Sequence, residues 1–314
     1  MLFLQFLLPV ILDMVKQLRD KILVPTDFTD VVNYSVDHAT EIAKIFNHTI
    51  VLLHVVGKKV LGTPRQKEIE NKLKQAVAQI KNRAGLKVSY LIEEGSIFTT
   101  IAEVANRIRA EFIVMGIHGK KGVQHIMGSY AYKVVCSSEV PVMVVKSKHH
   151  HKGYKEIVLP IDFSQETTQK FLKAIRFSKY FGGRIRVFGF LGTRNKATIF
   201  EKEALLKKVK NTFAELGLNV TTDLCVDPAI DWPEALMKFS QRIDADLIMI
   251  VAEKGDSIAD IFTQNTTEQI IDKADVPLLT VLPTAEDDDG GLGNSLVVRS
   301  FIDPLGLTES KQPK

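Results

Sequence analysis

The stretch Gly116–Ser129, GIHGKKGVQHIMGS, carries the densest set of groups suited to holding an anion. Gly116, Gly119 and Gly122 let backbone amides approach a ligand closely, Lys120 and Lys121 add positive charge, and His118 adds a ring donor. Gly128-Ser129 opens a helical-looking run whose first N–H groups lack partners within the helix and favour phosphate. The helix dipole alone contributes about 0.3–1 kcal/mol toward such an anion. The spacing is neither a Walker A loop nor GxGxxG, so a plain turn is the competing reading. A second group, Pro25-Thr26-Asp27, ends an apolar run and offers a carboxylate able to accept from ligand hydroxyls. Asp27 suits a local cap equally well. His118 has a similar local alternative, and His54, inside the apolar TIVLLHVV, reads as a satisfied core histidine.

Other chemistries find little support. There is no Ser-His-Asp spacing, metal-ligand cluster or carboxylate pair at the loop, so the sequence is not read as an enzyme's. His149–His151 are consecutive and cannot easily converge on one tetrahedral ion, which makes KSKHHHKGY a solvated hinge. A net charge of +4 with no basic block argues against nucleic-acid binding. Cys136 and Cys225, with no CxxC, fit a reducing, cytoplasmic setting and read as buried small hydrophobes. The opening MLFLQFLLPVIL is shorter than the roughly 20 residues of a spanning helix. It lacks the marks of a secretory signal, so a peripheral flap or an over-extended start is expected, with no membrane partner.

These groups need a scaffold, and an internal repeat supplies it. KILVPTDFT (21–29) matches EIVLPIDFS (156–164), and AEFIVMG (110–116) matches ADLIMIV (245–251), both at an offset of 135. EVPVMVV (139–145) matches DVPLLTV (275–281) at 136. Three segments in one order and nearly one offset mean a duplicated domain. In the first copy Ile22–Val24, Ile50–Val56, Leu86–Ile92, Phe112–Met115 and Val142–Val145 are strand candidates. Their near-continuous apolar character is that of strands covered on both faces. Val36, Ala39, Ala43 and Phe46 form one helical stripe, and Ile69, Leu73, Ala76, Ile80 and Ala84 another. Ser96 and, one repeat later, Asp231 with Glu234 are helix caps. Alternating β and α elements give an α/β fold of two tandem doubly wound domains, each with a mainly five-stranded parallel, Rossmann-like sheet. The expected boundaries are an apolar extension at 1–19, a first domain at 20–147, a linker at 148–154, a second domain at 155–283 and a flexible tail at 284–314. Within the tail LVVRSFIDPLGL (296–307) regains apolar residues and is a candidate docking segment.

The opening strand ending in Pro-x-Asp-Phe-Ser/Thr, the strand end VMGIHG and GSYAYKVV running into VPVMVV resemble the universal stress protein family, over roughly residues 20–283. That resemblance implies an adenine nucleotide alpha hydrolase-like fold and a stress-response sensor or regulator. It also implies a bound ATP or AMP, with Mg possible beside ATP, and at most weak ATP hydrolysis. Nucleotide-binding members carry Gly-x-x-Gly, nine residues, then Gly-Ser/Thr. Here Gly116-x-x-Gly119 and Gly128-Ser129 match with eight residues between, and Gly122 can absorb the difference. Position by position, the resemblance sets Asp27, with Pro25 and Thr26, near ribose or base and Val55 against adenine. Met115, Gly116, His118, Gly119, Lys120 and Gly122 would surround ribose and phosphates, while Gly128, Ser129 and Tyr130 would hold the terminal phosphates. The second copy lacks Gly-x-x-Gly and has Gln264-Asn265 for Gly128-Ser129, so it is read as structural. An intrachain pseudo-dimer, a possible homodimer and a protein partner follow from the same resemblance. The alternative is a nucleotide-independent interaction module of the same fold.

Overall fold

The computed structural model describes residues 19–117, 128–146, 153–161, 182–215, 217–251 and 264–281. In the first half, β1 (Lys21–Pro25), α1 (Val31–Phe46), β2 (Thr49–Val56), α2 (Pro64–Ala84) and β3 (Val88–Glu94) are followed by α3 (Ile97–Arg107), β4 (Ala110–Gly116), α4 (Gly128–Ser137) and β5 (Val142–Val145). The second half gives β6 (Glu156–Ile161), β7 (Arg184–Leu191), α5 (Lys196–Glu215), β8 (Val220–Val226), α6 (Trp232–Arg242), β9 (Leu247–Val251), α7 (Gln264–Lys273) and β10 (Leu278–Val281). The extension 1–18, His149–His151, Asp162 and the tail lie outside the described residues.

The strands form one sheet in the order β3-β2-β1-β4-β5-β10-β9-β6-β7-β8. Pairing is parallel within each half and antiparallel at the β5–β10 seam, where Val144 faces Leu278 and Met143 faces Leu279. The two expected five-stranded sheets are therefore halves of a single sheet. Across the seam, the buried Thr280 hydroxyl donates to the Val142 carbonyl at 3.0 Å.

Successive strand residues point to opposite faces, so β1 sends Ile22 and Val24 into one core layer and Leu23 into the other. The first layer packs under α1, α2 and α5, and the second under α3, α4, α6 and α7. Each layer runs through both halves. The α1 stripe buries Val36, Ala39 and Ala43, and the α2 stripe buries Ile69, Leu73 and Ile80, as their spacing predicts. The duplication also holds in the backbone. Left-handed residues recur at Asn47 and Gly182, Gly85 and Gly217, and Arg109 and Asp244, each closing a helix or preceding a strand.

The linker departs from the solvated-hinge reading at its last residue. Tyr154 is fully buried, and its hydroxyl lies 2.8 Å from His38 Nδ1 of α1 and 3.6 Å from Met143 Sδ of β5. Gly153 N–H donates to the Glu41 carboxylate, while Lys155 and Glu156 N–H both donate to Asp246 at 2.8 Å. The chain passes between halves through a clamp built by both. The cysteines also differ from the expectation, being half-buried rather than buried. Desolvation pushes both thiols up, with Asp227 adding to the shift at Cys225 and the Tyr132 hydrogen bond opposing it at Cys136.

Candidate functional site

In the first half the chain runs outward from β1 to β2 and β3, then crosses to β4 on the other side. A crevice opens beyond the carboxyl ends of the strands at such a reversal. Here it is a shallow cleft enclosing about 100 Å³ and open to solvent at its mouth. Pro25, Thr26, Asp27 and Thr29 form one rim, and Met115 and Gly116 the other. Leu53, His54 and Val55 close it from β2, Ile97 and Ile101 from α3, and Val134 from α4.

The Asp27 rim is a pre-organised turn. Asp27 Oδ1 accepts from Thr29 N–H at 3.0 Å and from the Thr29 hydroxyl at 2.6 Å. This is an Asx turn rather than a helix cap, since Asp30 holds the N-cap position of α1. Phe28, between them, takes a φ of 65°, an uncommon conformation for a residue with a side chain. Several bonds hold it there. Phe28 N–H donates to Thr26 Oγ1 at 3.1 Å, and Thr26 N–H donates to the Leu53 carbonyl at 2.8 Å. The Phe28 ring lies 4.6 Å from the His54 ring, and the Lys72 ammonium sits 5.5 Å from the Phe28 ring centroid.

His54 belongs to this site and not simply to the core. It is half-buried, lines the cleft, and its Nδ1–H donates to the Thr26 carbonyl at 2.7 Å. The ring is satisfied as expected, but it ties β2 to the turn that presents Asp27. The register behind it, with Pro25 beside Leu53, is set by β1–β2 pairing.

Gly116 carries a steric requirement. A Cβ there would lie 2.5 Å from Val31 Cγ1 and 2.8 Å from the Val31 carbonyl oxygen. The glycine lets the amino end of α1 press against the end of β4. Beyond Ile117, residues His118, Gly119, Lys120 and Gly122 lie outside the described residues. Gly128, Ser129 and Tyr130 form the first turn of α4. By the helical rise they stand about 6–9 Å along the axis from Val134, which lines the cleft. Of the sequence candidates, Pro25, Thr26, Asp27, Val55, Met115 and Gly116 meet around one cleft. Thr29, Leu53, His54, Ile97, Ile101 and Val134 join them. The apolar members of that second set look like ordinary core in sequence, and only the fold turns them toward an opening.

Among the described residues no group of three or more His, Cys, Asp or Glu side chains is placed to hold a metal ion. Nor is any helix among them long and apolar enough to cross a membrane.

The parallel strand order, with its reversal-point cleft between β1 and β4, defines a doubly wound, Rossmann-like α/β protein. Comparisons with known proteins narrow this. The model of the universal stress protein family matches residues 19–146. A universal stress protein of Methanocaldococcus jannaschii is 32% identical over 143 residues, covering 42% of this chain and 84% of that relative. A second from the same organism is 29% identical over 155 residues, covering 41% and 96%. The crystal structure of a universal stress protein from Archaeoglobus fulgidus shares the fold across 84% of this chain and 98% of its own, at a TM-score of 0.69 and 20% identity. The chain belongs to the universal stress protein family.

Proposed function

We propose that the first half binds ATP or another adenine nucleotide and that the bound state regulates a protein partner in a stress response. The observation that carries this reading is the cleft between β1 and β4, which has a polar turn on one rim and an apolar back wall. A carboxylate held at a strand end, as Asp27 is, suits ribose hydroxyls, and the half-buried Val55 with the exposed Ile97 suits the face of a base. Thr26 and Pro25 support that turn. Met115 and Gly116 would border the sugar and phosphates, with His118, Gly119, Lys120 and Gly122 continuing the loop. Gly128, Ser129 and Tyr130 would offer the phosphates the free N–H groups of the first turn of α4. Magnesium would accompany ATP by neutralising its phosphates.

The test is direct: protein purified without dialysis is denatured, and the released small molecules are separated and identified. The reading expects adenine nucleotide at close to one per chain. Its absence, together with no binding in titration, would support a nucleotide-independent interaction module. That second reading draws on Asp27, whose Oδ1 already accepts two bonds from Thr29.

A further inference from the structure

The strand ends of the second half repeat the register of the first. Pro160 pairs with Phe188 as Pro25 pairs with Leu53. Asp231 caps α6 as Ser96 caps α3, which puts Trp232 at the position of Ile97, Leu236 at that of Ile101 and Phe239 at that of Val104. The backbone is the same, but the side chains fill it differently. In the first half Leu53 and Ile97 line an open cleft, and Ile97 is 37% exposed. In the second half Trp232 is 5% exposed, Phe188 2% and Phe239 4%. The Phe188 and Phe239 rings stack with centroids 4.5 Å apart and planes at 21°. The Arg242 guanidinium covers Phe239 at 5.2 Å. Ile161, buried, replaces Thr26, and Gly189 replaces His54, so two polar groups of the first half's wall have no polar counterpart here.

We infer that Phe188, Trp232 and Phe239 form an aromatic plug that occupies the second half's crevice and confines ligand binding to the first half. The ligand in this inference rests on the nucleotide reading above, whereas the plug rests on ring size, on the Phe188–Phe239 stack and on the burial of Trp232 where Ile97 is exposed. The chain spends its second crevice on packing. Leu53 and Ile97, which line the first half's cleft, are the smaller counterparts of Phe188 and Trp232.

Trp232 is the chain's only tryptophan, so its emission reports on the second half alone. The experiment is acrylamide quenching of the full chain with and without saturating ATP, alongside calorimetric titration of ATP. The plug predicts a quenching slope several-fold below that of free tryptophan, no change in emission with ATP, and one ATP per chain. A slope within about twofold of free tryptophan, an ATP-dependent shift of the emission, or two ATP per chain would overturn it. Should wild type bind no ATP, the nucleotide reading fails, while a low quenching slope still supports the plug. Transplanting the plug gives a second arm. Leu53→Phe, alone and combined with Ile97→Trp, should lower ATP affinity at least tenfold with an unchanged far-ultraviolet spectrum. Wild-type affinity in either folded variant would show that ring size does not decide the matter.

Discussion

Adding one methyl group at Gly116 would place a Cβ 2.5 Å from Val31 Cγ1, inside any permissible contact. Overpacking of this kind costs about 1–3 kcal/mol. Gly116→Ala should therefore lower unfolding free energy by that amount in urea titration and weaken nucleotide binding as α1 shifts. Glu41 makes a pH-dependent prediction. Burial raises its pKa, a Gly153 N–H bond opposes the rise, and Asp246 adds to it. The native state thus binds a proton more tightly than the unfolded chain. Stability is fully present below the unfolded value and falls as pH rises through the folded one. Glu41→Gln should flatten stability between mildly acidic and neutral pH, and a mutant curve as steep as wild type would contradict this. At this scale much of the site was legible. Asp27 and Gly116 stood out because a carboxylate and a glycine at strand ends are chemically conspicuous. His54 did not, because its bond to the Thr26 carbonyl spans 28 residues and depends on β1–β2 register.

Helix α6 begins at Asp231, whose carboxylate accepts from Glu234 N–H at 2.8 Å, whereas Ser96 reaches Phe98 N–H at 3.4 Å to start α3. Loss of a good N-cap costs about 1 kcal/mol. Asp231→Ala should lose roughly that much by chemical denaturation and Ser96→Ala distinctly less, since its bond is long. Both caps were visible in sequence, as were the strands, because short apolar runs bounded by turn residues leave little choice. The third strand begins at Val88 rather than Leu86, because Gly85 closes α2 in the left-handed conformation and the chain needs two residues to straighten. Tyr154, the last linker residue, departs from the solvated-hinge reading for a different reason. A run of lysines and histidines looks solvated, and the burial of Tyr154 rests on His38, 116 residues away. No local pattern carries that pairing.

At the scale of the molecule, the β5–β10 seam joins two copies into one sheet, with core layers that cross it on both faces. The repeat offset announced two domains, but which edges would meet was not written in any motif. Expressed alone, residues 19–146 would leave the β5 edge unpaired, and exposed edges seek partners. That fragment should dimerise in sedimentation experiments while the full chain does not need to. The central claim is that a nucleotide sits in the first half, between the Asp27 turn and the amino end of α4. Calorimetric titration of ATP into the full chain, beside Gly128→Glu, tests it most directly, because a carboxylate at that helix start would repel phosphate. The account predicts saturable binding to wild type and its loss, by at least tenfold, in the variant. Equal affinity in both proteins, or no binding to wild type, would contradict it.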